Sequence, residues 1–229
     1  MDNLRAWAGA VLVLLLGPLA VHGQSVPSPY RYVERGQAAS LFAGVLDPGQ
    51  GRFGYGPSSG LVIGGRYAVE VGGPLALEGV ASLFSTTRDV INPGREEGDR
   101  KVAEADVSLV MIDARLRLNL TGRRTWHRVT PYVYVGGGIV FDRGPAQPGD
   151  AELEQRDRFK FGTGGLSVLG VGSRWFIQSN LALRTDLHLT LYQLDVPEGF
   201  KDAERGFEAV ANSEWVSGRT LTLALSYLF

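Results

Sequence analysis

The chain has 229 residues, of which 44% are hydrophobic and 31 are glycine. Its 23 basic and 24 acidic residues nearly cancel, which argues against the basic excess expected of a nucleic-acid-binding protein. Cysteine is absent and histidine occurs three times, so we expect no disulfide, no metal site and no cofactor. Glycine costs about 1 kcal/mol per helical position. Its abundance therefore favours strands, and the length suits one closed sheet.

Residues 1–23 have the features of a secretory signal peptide. Arg5 precedes an apolar run from Ala8 to Leu16, and Gly17-Pro18 then breaks the helix. The apolar run is shorter than the roughly 20 residues that a helix needs to span a bilayer. We therefore expect cleavage after about Gly23 and export of the rest of the chain.

The exported chain divides into two parts. Residues 24–36 hold two prolines and no alternation, which predicts an extended periplasmic leader. Residues 37–229 are predicted to form one β-barrel domain, because eight segments alternate apolar and polar residues with the period of a strand. In chain order these segments are about Gln37–Leu46, Gly60–Val71, Leu75–Thr86, Ala103–Leu120, Val129–Asp142, Phe159–Ile177, a seventh from Leu181, and Arg219–Phe229.

The connections between these strands alternate in length. Long, polar segments rich in glycine, proline and charge alternate with short turns such as Gly72-Gly73-Pro74 and Gln178-Ser179-Asn180. This rhythm is typical of an up-and-down antiparallel transmembrane barrel with short periplasmic turns and four long extracellular loops. We therefore predict an all-β, eight-stranded barrel of that kind.

Charged residues stand in the middle of the strands, on the face opposite the leucines. In a membrane barrel this face lines the lumen. Opposite charges should pair there, since an isolated charge away from bulk water is costly. We predict a luminal ionic network that closes and rigidifies the barrel. Its members are Arg66, Glu70, Glu78, Asp113, Arg115, Arg117, Arg174, Arg184 and Asp186.

The segment from Val168 to Asp186 and the last strand carry a resemblance to a known family. The pattern Gly170-x-Gly172-x-Arg174-aromatic-Phe, followed by Leu-x-Leu-Arg-x-Asp, is similar to a hairpin of small bacterial outer-membrane barrels of the OmpA/OmpX type. The resemblance implies an outer-membrane location. It also implies that the closing pattern Tyr227-x-Phe229 is a signal read by the barrel-assembly machinery.

Aromatic residues lie near the predicted strand ends, where membrane barrels carry aromatic girdles. They are Tyr67, Trp126, Trp175, Trp215, Tyr227 and Phe229. Packing within the protein is the alternative reading for each of them.

We expect a structural or surface role: membrane integrity, adhesion or ligand contact through the extracellular loops. The expected partners are outer-membrane lipid, lipopolysaccharide, the barrel-assembly machinery and periplasmic chaperones, with no nucleic acid and with the chain as a monomer. No residue set compels a reaction, so we do not expect an enzyme.

Three alternatives remain open at this point. Asp186, His188 and Thr190 share one strand face and resemble the acid–base–hydroxyl set of lipid A-modifying barrel enzymes. The lumen could form a narrow pore. A secreted, lipocalin-like ligand carrier would also show strands that alternate in this way.

Overall fold

The computed structural model describes residues 28–144, 148–159, 161–207 and 210–229. Eight long strands dominate this part of the chain. They are β1 (Gln37–Pro48), β2 (Gly60–Gly72), β3 (Leu75–Ile91), β4 (Lys101–Asn119), β5 (Val129–Asp142), β6 (Thr163–Phe176), β7 (Leu181–Asp195) and β8 (Ser213–Leu228). The predicted signal peptide lies outside the described residues.

The eight strands close into one antiparallel barrel. Each pairs with its neighbours in sequence, and β8 pairs with both β7 and β1, so that Leu225 faces Leu183 on one side and Leu41 on the other. Because the barrel is closed, every long strand is hydrogen-bonded to a neighbour on both sides. In lipid this is required, since no water is available to hydrogen-bond the N–H and C=O groups of an open sheet edge. The predicted fold class is therefore confirmed.

The two faces of the barrel have opposite character. Outward side chains are apolar and exposed: Leu41 is 76% exposed, Leu223 58% and Leu169 61%. Inward side chains of the same strands are buried, as the strict alternation of burial along β4 and β8 shows. A continuous apolar belt around a whole sheet is not stable in water. The belt therefore faces hydrocarbon, and the barrel crosses a membrane.

Short and long connections lie at opposite ends. The short-turn end carries the connections 73–74, 120–128 and 177–180, and the long-loop end carries 49–59, 92–100, 143–162 and 196–212. Three 3₁₀ turns lie within the last two long connections: Pro148–Glu152, Glu198–Lys201 and Ala203–Arg205. No helix in the described ranges is long and apolar enough to cross a membrane.

Several strands reach further toward the long-loop end than predicted. The predicted third strand ended at Thr86, yet β3 and β4 stay paired through Arg88 with Ala105 and Asp89 with Glu104. The charge of these residues predicts a loop, but each has a partner: Arg88 is buried and pairs with Asp150 of the third long connection at 2.6 Å, and Asp89 pairs with Lys101 at 2.8 Å. By contrast, β6 is shorter at this end than predicted, since it begins at Thr163 and not at Phe159.

Two three-residue strands extend the sheet at the short-turn end. Tyr30–Tyr32, within the predicted leader, pairs with Arg124–Trp126, within the fourth connection. We call this pair the ribbon. Trp126 also pairs with Val129, so the ribbon continues the barrel wall beside β5.

Candidate functional site: the barrel interior and its cap

All nine charged residues predicted for the lumen point into it. Their side chains come from five strands, β2, β3, β4, β6 and β7, and fill the half of the barrel nearest the short-turn end. Eight of the nine are buried, and the ninth, Glu70, is partly buried at the mouth. We call this the ionic layer.

Glu78 on β3 is the centre of the ionic layer. Its carboxylate accepts two hydrogen bonds from Arg184 on β7, at 2.7 and 3.1 Å. It also accepts one from Arg117 on β4, and Arg66 Nε lies 3.7 Å away. One carboxylate thus holds three guanidinium groups from three other strands. Because Arg184 lies on the far side of the barrel, this contact ties opposite walls together.

Asp186 is the second buried acceptor. It accepts hydrogen bonds from Arg66 Nη1 at 2.9 Å and from Arg184 Nε at 2.9 Å. The Tyr132 hydroxyl also donates to this carboxylate, at 2.8 Å. Asp186 is fully buried, and these donors replace the water that its charge has lost.

The remaining charges form two smaller groups. Glu70 accepts hydrogen bonds from Arg117 at 2.7 Å and from Arg174 at 3.3 Å, next to the short-turn end. Asp113 pairs with Arg115, its neighbour two residues along β4, with Arg115 Nη2 at 3.1 Å from Asp113 Oδ2. That pair makes no ion pair with the Glu78 group, so the nine residues form more than one cluster.

Aromatic rings and glycines complete the packing of the ionic layer. The Arg184 guanidinium lies 4.5 Å from the centre of the Tyr132 ring, and Arg115 lies 5.2 Å from that of Tyr134. Gly170 faces the Tyr134 ring so closely that a Cβ there would lie 2.5 Å from Tyr134 Cζ. Glycine on β6 therefore leaves room for the tyrosines of β5.

The half of the lumen nearest the long loops is apolar, a feature that the charged lumen predicted from the sequence does not include. The inward residues here are Phe42, Leu46, Val62, Val80, Phe84, Val107, Leu109, Met111, Val140, Leu166, Val168, Leu194 and Val216. The sequence contains an indication of this layer, because both faces of these strand halves are apolar. Leu61-Val62-Ile63 and Leu83-Phe84 are examples. We call this the apolar layer.

The long loops fold over the apolar layer and form an aromatic cap. Phe53 stacks on Phe200 with 4.8 Å between ring centroids and meets Phe207 edge-on at 5.4 Å. Tyr55 lies 4.9 Å from Phe159. Phe200 is fully buried and Tyr55 is 1% exposed. Three of the four long connections thus share one small core, although their sequences are rich in glycine and charge.

Polar contacts hold the cap in place. Arg205 Nη1 donates to Asp157 Oδ1 at 2.8 Å, which joins the third and fourth long connections. The Tyr55 hydroxyl donates to Glu214 Oε1 at 2.8 Å. Burial, and then the bond to Glu214, raises the pKa of Tyr55 well above its ordinary value, so that the hydroxyl stays protonated and remains a donor.

A cavity of about 20 Å³ lies where the two layers meet. Arg66, Arg115, Thr220 and Thr222 contribute to its wall. This volume accommodates about one water molecule.

The acid–base–hydroxyl set has no access to lipid. Asp186, His188 and Thr190 all point inward and are buried, and His188 Nδ1 shares a hydrogen bond of 3.0 Å with the Tyr134 hydroxyl. Asp186 is occupied by its two arginines. In the described part of the chain, no group of three or more acidic, histidine or cysteine residues is placed to hold a metal ion.

The aromatic residues predicted for the girdles lie on the outer face. Trp126, Trp175, Tyr227 and Phe229 are about half exposed at the short-turn end, and Trp215 is 61% exposed near the long loops. Tyr67 and Phe229 lie 6.2 Å apart between ring centroids.

Solved structures share this architecture, although no family model and no curated protein matches the sequence. The outer membrane protein OprG from Pseudomonas aeruginosa is similar over 89% of this chain and 99% of its own, with a TM-score of 0.55 and 12% identity. Neisserial surface protein A is similar over 88% of this chain and 98% of its own, with a TM-score of 0.50 and 12% identity. The chain therefore has the fold of the small eight-stranded outer-membrane barrels.

Proposed function

We propose that the protein is a closed structural barrel of the bacterial outer membrane, which presents a folded cap of loops at the cell surface. The observation that carries the proposal is the content of the lumen. An ionic layer, an apolar layer and an aromatic cap follow one another along the barrel axis, and each consists of buried side chains.

This arrangement favours a plug over a pore. An ion that entered from the short-turn end would have to displace Arg184 or Arg117 from Glu78, and then lose its hydration among Phe42, Phe84 and their neighbours. Both steps are costly in a region of low dielectric constant. An eight-stranded barrel is just wide enough for its own side chains to fill it.

The folded cap supports a surface role. Folded loops on a membrane-anchored barrel suit adhesion, ligand contact or support of the membrane. The apolar belt would contact outer-membrane lipid and lipopolysaccharide, with Tyr227 and Phe229 read by the assembly machinery after periplasmic chaperones deliver the chain. We propose that the barrel acts as a monomer, without nucleic acid, cofactor or catalysis.

Three measurements test the location and the cap. The protein should fractionate with the outer membrane and migrate differently on SDS gels with and without heating, as closed barrels do. Protease added to whole cells should reach only the long loops, since the short turns would lie in the periplasm. A soluble protein without a heat-dependent shift would contradict the proposal.

The lipid A-modifying enzyme is tested separately. Replacing His188 with alanine should leave the mass spectrum of lipid A unchanged relative to wild type. A change in lipid A acylation in the variant alone, whether an acyl chain is lost (acylase) or retained (deacylase), would show catalysis and overturn the structural role.

A further inference from the structure

The ribbon at the short-turn end extends the outer face of the barrel. It is joined to β5 by a two-residue turn, His127-Arg128, whose φ angles are 48° and 68°. Positive φ at both positions is the geometry of a tight hairpin. Neither residue is glycine, so the chain accepts backbone strain to hold the ribbon against the barrel.

Strand register shows which way the ribbon faces. Tyr30 pairs with Trp126, Trp126 with Val129, and Val129 with Trp175. Paired residues in adjacent strands point to the same side of the sheet. Because Trp175 is on the lipid-facing side, Tyr30 and Trp126 are too, and each is about half exposed. They form a continuous aromatic row at the membrane boundary, where such rings prefer to lie.

The same end is basic. The ribbon, residues 33–36 and the short connections carry five arginines: Arg31, Arg35, Arg123, Arg124 and Arg128. Among the described residues of these segments, Glu34 is the single acidic one. None of these five arginines forms an ion pair with any described residue. Arg31, Arg124 and Arg128 are exposed. Free positive charge thus stands directly beside the aromatic row.

A cleft lies between the ribbon and the neighbouring turns, and two of the arginines line it. It has a volume of about 510 Å³ and is open to solvent. Tyr32, the turn residues Gly73 and Pro74, and residues 121–124 line it. The Arg123 guanidinium lies 5.0 Å from the centre of the Tyr32 ring, and its Nη2 donates to the carbonyl of Val33 at 3.3 Å. Arg124 lines the same cleft, and its side chain forms no hydrogen bond or ion pair with a described residue, so it is available to bind an anion.

We propose that this cleft binds the headgroup of an anionic phospholipid in the leaflet at the short-turn end. Arg123 and Arg124 would contact the phosphodiester, and the row Tyr30–Trp126–Trp175 would lie along the upper part of the acyl chains. A soluble polyanion would account for the arginines alone. Only a lipid accounts for their position next to aromatic rings on the hydrocarbon-facing side. The site depends on the membrane placement proposed above.

The experiment measures lipid affinity of the folded barrel by native mass spectrometry from detergent micelles. Phosphatidylglycerol and phosphatidylcholine of equal chain length are titrated separately. The test variant is Arg123→Gln/Arg124→Gln, which removes both arginines that line the cleft. Glutamine keeps a hydrogen-bond donor at both positions, including position 123, where the arginine donates to the carbonyl of Val33. The matched control is Arg143→Gln, an exposed arginine at the opposite end that forms no ion pair with a described residue. Heat-dependent gel mobility checks that each protein is folded.

Wild type and the Arg143 control should prefer phosphatidylglycerol, and the double variant should lose most of that preference. The expected loss is about 5-fold per arginine, or roughly 30-fold in all. Equal affinity of wild type for the two lipids would overturn the site, as would a preference that the double variant keeps. Binding of isolated peptidoglycan in place of lipid, through the same arginines, would overturn it as well. A folded barrel without lipid preference leaves the proposed structural role intact, because the cell-surface tests do not depend on it.

Discussion

Glu78 carries one negative charge and faces Arg66, Arg117 and Arg184 in a region shielded from bulk water. Removing one member of a buried charge group costs more than the group contributes as a whole, because the remaining charges lose their compensation. The ionic layer is therefore sensitive to single substitutions.

We predict that Glu78→Gln lowers the free energy of unfolding by about 3–5 kcal/mol. Glutamine keeps the shape of the side chain but leaves three buried guanidinium groups without their shared anion. Denaturant titration of the folded barrel, followed by tryptophan fluorescence, measures the change. Glu96→Gln, in the exposed connection 92–100, is the control and should have no resolvable effect. A loss below about 1 kcal/mol at Glu78 would show that the arginines find other partners.

Gly170 offers a second test at this scale. A Cβ at Gly170 would lie 2.5 Å from Tyr134 Cζ and 2.6 Å from His188 Cβ. We expect Gly170→Ala to destabilise the barrel by about 1–3 kcal/mol through overpacking. Gly79→Ala is the matched control, because a Cβ at Gly79 meets nothing within 4 Å. Equal stability of the two variants, measured by the same titration, would mean that the tyrosines move aside without cost.

At the scale of elements, the cap links three connections that are far apart in sequence. Phe200 lies 4.8 Å from Phe53 and 5.4 Å from Phe207 between ring centroids, and is fully buried. The cap packs on the ends of strands that are already stabilised by the contact of the apolar belt with lipid. Its opening should therefore be a local event.

We expect Phe200→Ala to open the cap and leave the barrel closed. The lost packing is worth about 3–5 kcal/mol locally. Hydrogen exchange should speed up in residues 49–59 and 196–207, with β7 and β8 still protected. Phe141→Ala, on the outer face of β5, should leave cap protection as in wild type. Cooperative loss of protection in the strands as well would show that cap and barrel form one folding unit.

The faces of the strands were predictable from the sequence, whereas the cap was not. Alternation placed Arg115 and Arg117 opposite Leu116 and Leu118 because a strand has period two. The rings of Phe53 and Phe200 lie in segments whose glycine and charge indicate loops, and nothing local shows that those loops meet. The sequence pattern predicts a strand from Phe159, although Phe159 belongs to the cap and β6 begins at Thr163.

The pairings inside the ionic layer could not be predicted either. Glu78 and Arg184 meet across the barrel, so their contact depends on the registers of every intervening strand. The sequence pattern predicts that both side chains point inward, but it does not predict that they contact each other. The ribbon is a similar case, since Tyr30 and Trp126 come together only through backbone pairing.

For the whole molecule, the decisive question is whether the barrel interior conducts. Single-channel recording of the folded protein in planar bilayers answers it, with a large water-filled porin as the positive control. The ionic layer, the apolar layer and the aromatic cap together predict no current steps above background at any applied voltage. Reproducible steps of defined conductance would contradict the closed barrel and would make the protein a pore.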